Sequence, residues 1–247
     1  HTLRNSIFAN MITKILYYIL VLPISFLPYP VLLLISEIIY LIIYKVIGYR
    51  KNIIFNNLKN SFPKKNNQEL EQIMSNFYHH LCDLIIETIK MLNASESFIN
   101  ERVNITNTEL INKYLEKKQT VILVAGHFNN WEWVGQKLSV STKQNSVVVY
   151  KPLNNTNFNK LIKKARTKFG AIAVSMKESM RYIIETKNRT QIICLIADQN
   201  PVVNTTTRWY PFFGREVPVF MGAEKIAIKM NYPVIFCNMQ KIGRGQY

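Results

Sequence analysis

The sequence predicts an α/β fold, a mostly parallel central sheet flanked by helices, with an apolar membrane-anchoring segment at its N-terminus. Three observations carry this. Short aliphatic and β-branched runs alternate with stretches of helical periodicity along residues 108–239, and strand alternating with helix implies parallel strands joined by crossovers. Residues 15–36 contain no charged side chain, which is about the 20 residues needed to cross a hydrocarbon core. A basic stretch then follows with no acidic residue, Arg50, Lys51, Lys59, Lys64 and Lys65 within 49–68. Residues 1–48 are therefore read as the anchor and 49–247 as one domain, since 247 residues suffice for a single full core.

The anchor is apolar all round. Pro23, Pro28 and Pro30 interrupt residues 15–36, which therefore either span as one segment or form two short apolar helices around a proline turn. Residues 31–47 add a second apolar stretch with only Glu37 and Lys45 charged, too hydrophobic for an ordinary surface helix. No small-residue cleavage site follows, so a retained anchor, spanning or interfacial, is expected rather than a removed signal peptide. Basic residues beside such a segment mark the cytoplasmic side and attract anionic headgroups, although a solvated basic loop has the same composition.

Within the domain, Asn66 followed by Glu69 marks a helix start, and Ile73, Phe77, Leu81, Leu84, Ile85, Thr88 and Leu92 trace an apolar stripe. On the neighbouring face lie His79, His80, Asp83 and Glu87. Helical metal centres use such residues but need matching ligands from other helices, and no second cluster exists, so a hydrogen-bonded helix flank is expected and no metal. Residues 108–118 read as a short helix and 147–150 as a buried strand ending in Lys151 and Pro152. Phe158, Leu161, Ile162, Ala165 and Phe169 then form the core stripe of a crossover helix, with Lys160, Lys163, Lys164 and Lys168 outside it. Arg166 falls only about 40° beyond Ile162, close enough to the stripe to reach toward a site. Strands at 171–174, 191–197 and 234–239 and helices at about 178–186 and 222–230 complete the alternation.

The centre of this pattern is VILVAGHFNNWEW, residues 121–133. Val121 to Val124 have the composition of a strand buried on both faces. Asn129 or Asn130 then caps a helix starting at Trp131, which leaves His127 at the carboxyl end of the strand, where open α/β sheets place their chemistry. A histidine there serves as a general base or as a structural residue. In a continuous helix five residues turn through about 500°, leaving positions i and i+5 roughly 140° apart, so His127 meets Glu132 only if the turn folds one onto the other. ADQNP places Asp198 and Gln199 on the same edge, where an aspartate is either a turn former or a substrate contact.

Those residues carry a resemblance. GHFNNWEW is similar to the histidine, four residues, acid motif of the lysophospholipid acyltransferase superfamily, in the form found in the lipid A biosynthesis (late) acyltransferases. The likeness extends from about Tyr49 to the C-terminus through RKNIIFNNLKNSFP, YKPLNN, the Arg166 helix, ADQNP and FFGREVPVFMGAEKIA. The Pro-Glu-Gly block of the glycerol phosphate acyltransferase branch is absent, so a glycerophosphate acceptor is not assigned. The resemblance implies a glycerolipid acyltransferase-like fold, an acyl carrier protein thioester donor and a hydroxyl of a lipid A precursor as acceptor. It implies His127 as general base with Glu132 orienting it, and work at the cytoplasmic face of a bacterial inner membrane. Arg166, or N–H groups near Asn129 and Asn130, would stabilise the oxyanion, and Asp198 and Gln199 would contact substrate. No metal or other cofactor is implied, because a thioester is already activated. Family members continue further, which implies that this chain is C-terminally shortened.

Charge and cysteines bound the alternatives. With 31 Lys and Arg against 15 Asp and Glu, the net charge of +16 calls for an anionic partner, whether nucleic acid, anionic membrane or acidic carrier. Cys82, Cys194 and Cys237 show no metal spacing and read as buried thiols of a reducing compartment. Another lyso- or amino-lipid acceptor is the near rival. A membrane-tethered nucleic-acid-binding protein is the distant one, disfavoured because Phe158 and Phe169 belong to the core stripe rather than to a stacking platform.

Overall fold

A computed structural model describes residues 15–142, 145–201 and 208–247. Two apolar helices come first, α1 (Tyr17–Phe26) and α2 (Tyr29–Ile47), separated at Leu27 and Pro28, whose extended backbone breaks the helix. Of the two readings of residues 15–36, the structure has the helices around a proline turn. α2 is long and apolar enough to cross a membrane by length and composition. One stripe of it, Tyr29, Leu32, Ser36, Tyr40 and Tyr44, is nevertheless buried against the long helix α4 (Asn67–Met91), while Leu34, Ile38, Leu41 and Val46 on the other side are exposed. Three side-chain bonds fix this seam. Ser36 Oγ donates to Asp83 Oδ1 at 2.7 Å and Tyr29 Oη to Glu87 Oε1 at 2.8 Å, while Tyr40 Oη and Ser75 Oγ lie 2.9 Å apart.

Between them the basic stretch forms α3 (Lys51–Ser61), a helix where only a basic segment was expected. α4 starts in the capping box read from Asn66 and Glu69, each side chain bonded to the other's backbone N–H. Its core face is turned from the expected stripe. Leu70, Met74, Tyr78, Cys82, Asp83, Ile86, Glu87 and Met91 are buried, whereas Phe77 and Ile85 are exposed. Periodicity counts apolar residues as the core face. Here two carboxylates lie inward because donors from α2 and the chain end satisfy them, Arg244 forking onto Asp83 at 2.7–3.1 Å and Tyr247 Oη bonding Glu87 at 2.7 Å.

α5 (Glu96–Arg102), capped by Ser95, and α6 (Glu109–Leu115) lead to the sheet. Five strands, β1 (Val121–Ala125), β2 (Asn145–Tyr150), β3 (Ile172–Ser175), β4 (Gln191–Ile196) and β7 (Val234–Phe236), stand in the order β3-β2-β4-β1-β7, all parallel. β1 is buried from both sides as its composition requires. Val121 and Leu123 pack with Ile192, with Ile111 and Leu115 of α6, and with Leu138 of α7 (Trp131–Ser141). Ile122 packs the other way, with Ile183 of α9 (Ser179–Glu185) and Ile226 of α10 (Gly222–Met230). The crossover helix α8 (Thr156–Arg166) buries Ile162 and Ala165 beside Trp133, with Phe169 against the same cluster. Phe158 departs from the expected stripe, 44% exposed at the first turn.

The sequence reading missed an antiparallel hairpin between β4 and α10, β5 (Arg208–Phe212) and β6 (Arg215–Val219), which precedes the last strand β7 (Val234–Phe236). Its two-residue turn, Phe213-Gly214, has φ of 49° and 73°. That is the turn which favours Asn-Gly, and a phenylalanine at the first position costs on the order of 1 kcal/mol.

Candidate active site

The register of β1 and β4 builds the site. Ala125 is level with Ile196, so the residues two beyond each strand end, His127 and Asp198, face each other. Asp198 receives two bonds from one residue, His127 N to Oδ2 at 2.7 Å and His127 Nδ1 to Oδ1 at 2.7 Å. Gly126 makes the approach possible, since a Cβ there would lie 3.1 Å from Asp198 Oδ2. With Nδ1–H donating to the carboxylate, Nε2 carries the lone pair, and Gln199 Nε2 stands 3.4 Å from it. The Trp131 ring meets the imidazole edge-on at 4.9 Å between centroids.

Glu132 is not bonded to His127, contrary to the expected pairing. It starts α7, where its charge suits the helix dipole, and its carboxylate takes Arg166 in a fork, Nε to Oε2 at 2.9 Å and Nη2 to Oε1 at 2.5 Å. Burial opposes the Arg166 charge, but the hydrogen bonds and charge of Glu132 outweigh it and hold the guanidinium above its ordinary pKa. The physical reason is topological. Helix α7 turns its first residues toward α8, whose last turn carries Arg166, while the imidazole is drawn across the sheet to β4.

His127 and the Glu132–Arg166 pair line one cleft of about 490 Å³, with Lys151, Asn154 and Lys163 along it. Lys163 was expected outside, and it lies at the cleft. A second, apolar pocket of about 560 Å³ reaches Asp198 from the opposite side, between Phe128, Tyr210, Val219 and Phe220.

Asn129 and Asn130 turn their side chains into the protein. Asn130 Oδ1 caps α7 by accepting from Trp133 N at 2.9 Å, and its Nδ2 donates to Glu87 Oε2 at 2.8 Å. Asn129, at φ 54°, donates from Nδ2 to the Met239 carbonyl at 2.9 Å. Only the main chain at these positions is left for substrate.

Glu87 is the residue that sequence reasoning placed on a flank and the structure places under the site. Fully buried, it accepts from Tyr29, Asn130 and Tyr247, and its carbonyl accepts from Trp133 Nε1 at 3.1 Å. Burial pushes its carboxyl above the usual range, against the pull of those three donors. His79 stacks on Tyr40 and faces Glu37 at 3.4 Å. Among the described residues no group of three or more His, Cys, Asp or Glu is placed to hold a metal ion.

A family model described as bacterial lipid A biosynthesis acyltransferase matches residues 4–247. No curated protein matches the chain.

Proposed function

The chain belongs to the bacterial lipid A biosynthesis acyltransferase family, and from that premise we propose that it transfers a fatty acyl chain from an acyl carrier protein thioester to a hydroxyl of a lipid A precursor. The observation that carries the mechanism is the His127 and Asp198 pair, which presents Nε2 as an acceptor beside an open cleft. The acceptor hydroxyl gives its proton to Nε2 as its oxygen attacks the thioester carbonyl. Asp198 holds the tautomer and stabilises the imidazolium. Collapse of the tetrahedral intermediate breaks the carbon–sulfur bond, and the proton returns from Nε2 to the departing thiolate.

Arg166 supplies fixed positive charge. Glu132 engages Nε and Nη2 and sets the plane of the guanidinium, which leaves Nη1 as the donor for the oxyanion or for an anionic group of the acceptor. Lys151 and Lys163 add charge to a cleft that takes an anionic substrate. The apolar helices α1 and α2, followed by basic α3, support work at the cytoplasmic face of a bacterial inner membrane.

The test is purified full-length protein given a panel of acyl carrier protein and coenzyme A thioesters with lipid acceptors, the products weighed by mass spectrometry. A lipid A precursor heavier by one ester-linked acyl chain is expected. Transfer confined to lysophospholipids or amines would move the chemistry to another acceptor, and no transfer from any thioester by folded protein would overturn the reading.

A further inference from the structure

The β5–β6 hairpin is exposed along all of β5, and its exposed large apolar residues are aromatic. Trp209, Tyr210, Phe212 and Phe213 all stand in solvent, Trp209 at 50% and Phe213 at 53% exposure. Alternation puts Tyr210, Phe212 and Val219 on the face toward the apolar pocket and Trp209, with its cross-strand partner Pro218, on the other face. The tip is the strained position, a phenylalanine held at positive φ where asparagine or glycine suits the turn better. Among the described residues Phe213 has ring contacts yet stays half exposed, so burial does not repay that strain. Phe212 and Phe213 pack edge to face at 4.7 Å, and Phe213 meets Phe62 at 5.8 Å, just past the end of α3.

Charge identifies what such a tip meets. Arg208, which also faces Glu224 at 3.4 Å, and Arg215 flank the aromatic run, and Lys59, Lys64 and Lys65, the last paired with Glu69 at 3.0 Å, flank Phe62. Aromatic rings with a basic fringe match the interface of an anionic bilayer, where amphipathic rings settle at headgroup depth and cations meet lipid phosphate. We propose that the hairpin is a second membrane-contact element that enters an anionic phospholipid surface tip first beside α3, Phe213 leading with Phe212 and Trp209 on its two faces. It rests on the membrane-bound reading above. Tyr210 and Val219 line the pocket that ends on Asp198, so a seated hairpin holds that pocket next to the acyl chains.

The experiment reads depth, because α1 and α2 hold the full chain on vesicles whatever the hairpin does. Full-length protein is bound to vesicles of mixed zwitterionic and anionic phospholipid, with acyl chains brominated near the headgroup, and tryptophan quenching is compared with unbrominated vesicles. The other tryptophans are Trp131, at the cleft, and buried Trp133, so Trp209→Phe subtracts the hairpin signal. Expected is strong quenching that Trp209→Phe largely removes. Phe213→Asn should keep or raise Tm, since asparagine tolerates the turn, yet lower the inserted population about fivefold by losing one ring. Quenching that survives Trp209→Phe, or is unmoved by Phe213→Asn, would overturn the proposal. So would weakened binding of purified acyl carrier protein by Phe213→Asn with quenching unchanged, which would make the hairpin a carrier-docking surface. Acyl transfer in detergent is scored separately, so a failed hairpin leaves the catalytic reading standing and a failed transfer leaves the quenching result standing.

Discussion

Asp198 and Glu132 are two carboxylates with opposite surroundings, one bonded to His127 and the other lining the cleft that His127 faces. Asp198, 45% exposed at its side chain, faces a titratable imidazole across adjacent strands. Glu132, 11% exposed, faces a permanent cation from a neighbouring helix. A carboxylate on one nitrogen of an imidazole is suited to a proton that comes and goes, because it orients the ring and leaves the other nitrogen open to the proton. A carboxylate on guanidinium fixes a charge that never changes. The contrast teaches that the acid in a histidine, four residues, acid spacing need not be the histidine's partner. Linear distance fixes which turn a residue sits on, and strand register decides what it meets.

The largest expected effect is on the imidazole itself. His127→Ala should lower kcat/KM by about 100- to 10,000-fold with Tm unchanged, and near-normal turnover by the folded variant would remove it from the chemistry. Asp198→Asn should approach the same loss, since an orienting carboxylate that fixes the tautomer can matter by about 10,000-fold. Double variants then separate the carboxylates. In a His127→Ala background Asp198→Asn should cost little more, whereas Glu132→Gln should keep its full effect, because residues acting as a unit are non-additive. The reverse outcome would restore Glu132 as the orienting residue and break the comparison.

A smaller effect is expected at the cation. Arg166→Lys keeps the charge and loses the planar fork on Glu132, so kcat/KM should fall about tenfold, roughly 1.4 kcal/mol. Lys163→Ala should act mainly on KM, through encounter with an anionic substrate. Equal kcat losses at the two positions would mean that the fork geometry is immaterial.

Much of this was legible in the chain. Val121 to Val124 as a doubly buried strand, a cap at Asn129 or Asn130 and Asn66 with Glu69 as a capping box follow from local composition and spacing; the structure has the strand and the box, takes Asn130 as the cap, and sets Arg166 on the cleft. His127 on Asp198 was not legible, because it depends on β1 lying next to β4 with two other strands between them in the chain. The hairpin escaped because Pro211 and Pro218 sit inside its strands, which argues against a strand unless it is an edge. The turned face of α4 escaped because polar residues count against a core, unless donors more than 40 residues away satisfy them.

Glu87 is a third carboxylate, and it sharpens the comparison by having neither imidazole nor cation on it. Its side-chain partners are the neutral donors Tyr29, Asn130 and Tyr247. Burial therefore raises its carboxyl in the folded protein above the unfolded value, despite those bonds. The sign is then fixed by linkage. Between the unfolded and the folded pKa the native state binds more protons, so the stability from this site is present at low pH and is lost as pH rises through the folded pKa. Glu87→Gln removes the titration: its amide oxygen, in place of Oε2, still accepts from Asn130 and Tyr247, and its NH2, in place of Oε1, donates to the Tyr29 hydroxyl oxygen. The variant should therefore gain on the native protein in stability as pH rises above the unfolded carboxylate range, until the folded Glu87 has ionised, measured as the difference in Tm against pH. Activity should follow more weakly, because Glu87 acts on the cleft only through Asn130 and the cap of the helix that carries Glu132. A Tm difference that stays flat with pH would mean that Glu87 titrates as it does in the unfolded chain, and the three neutral donors would then match the burial in full.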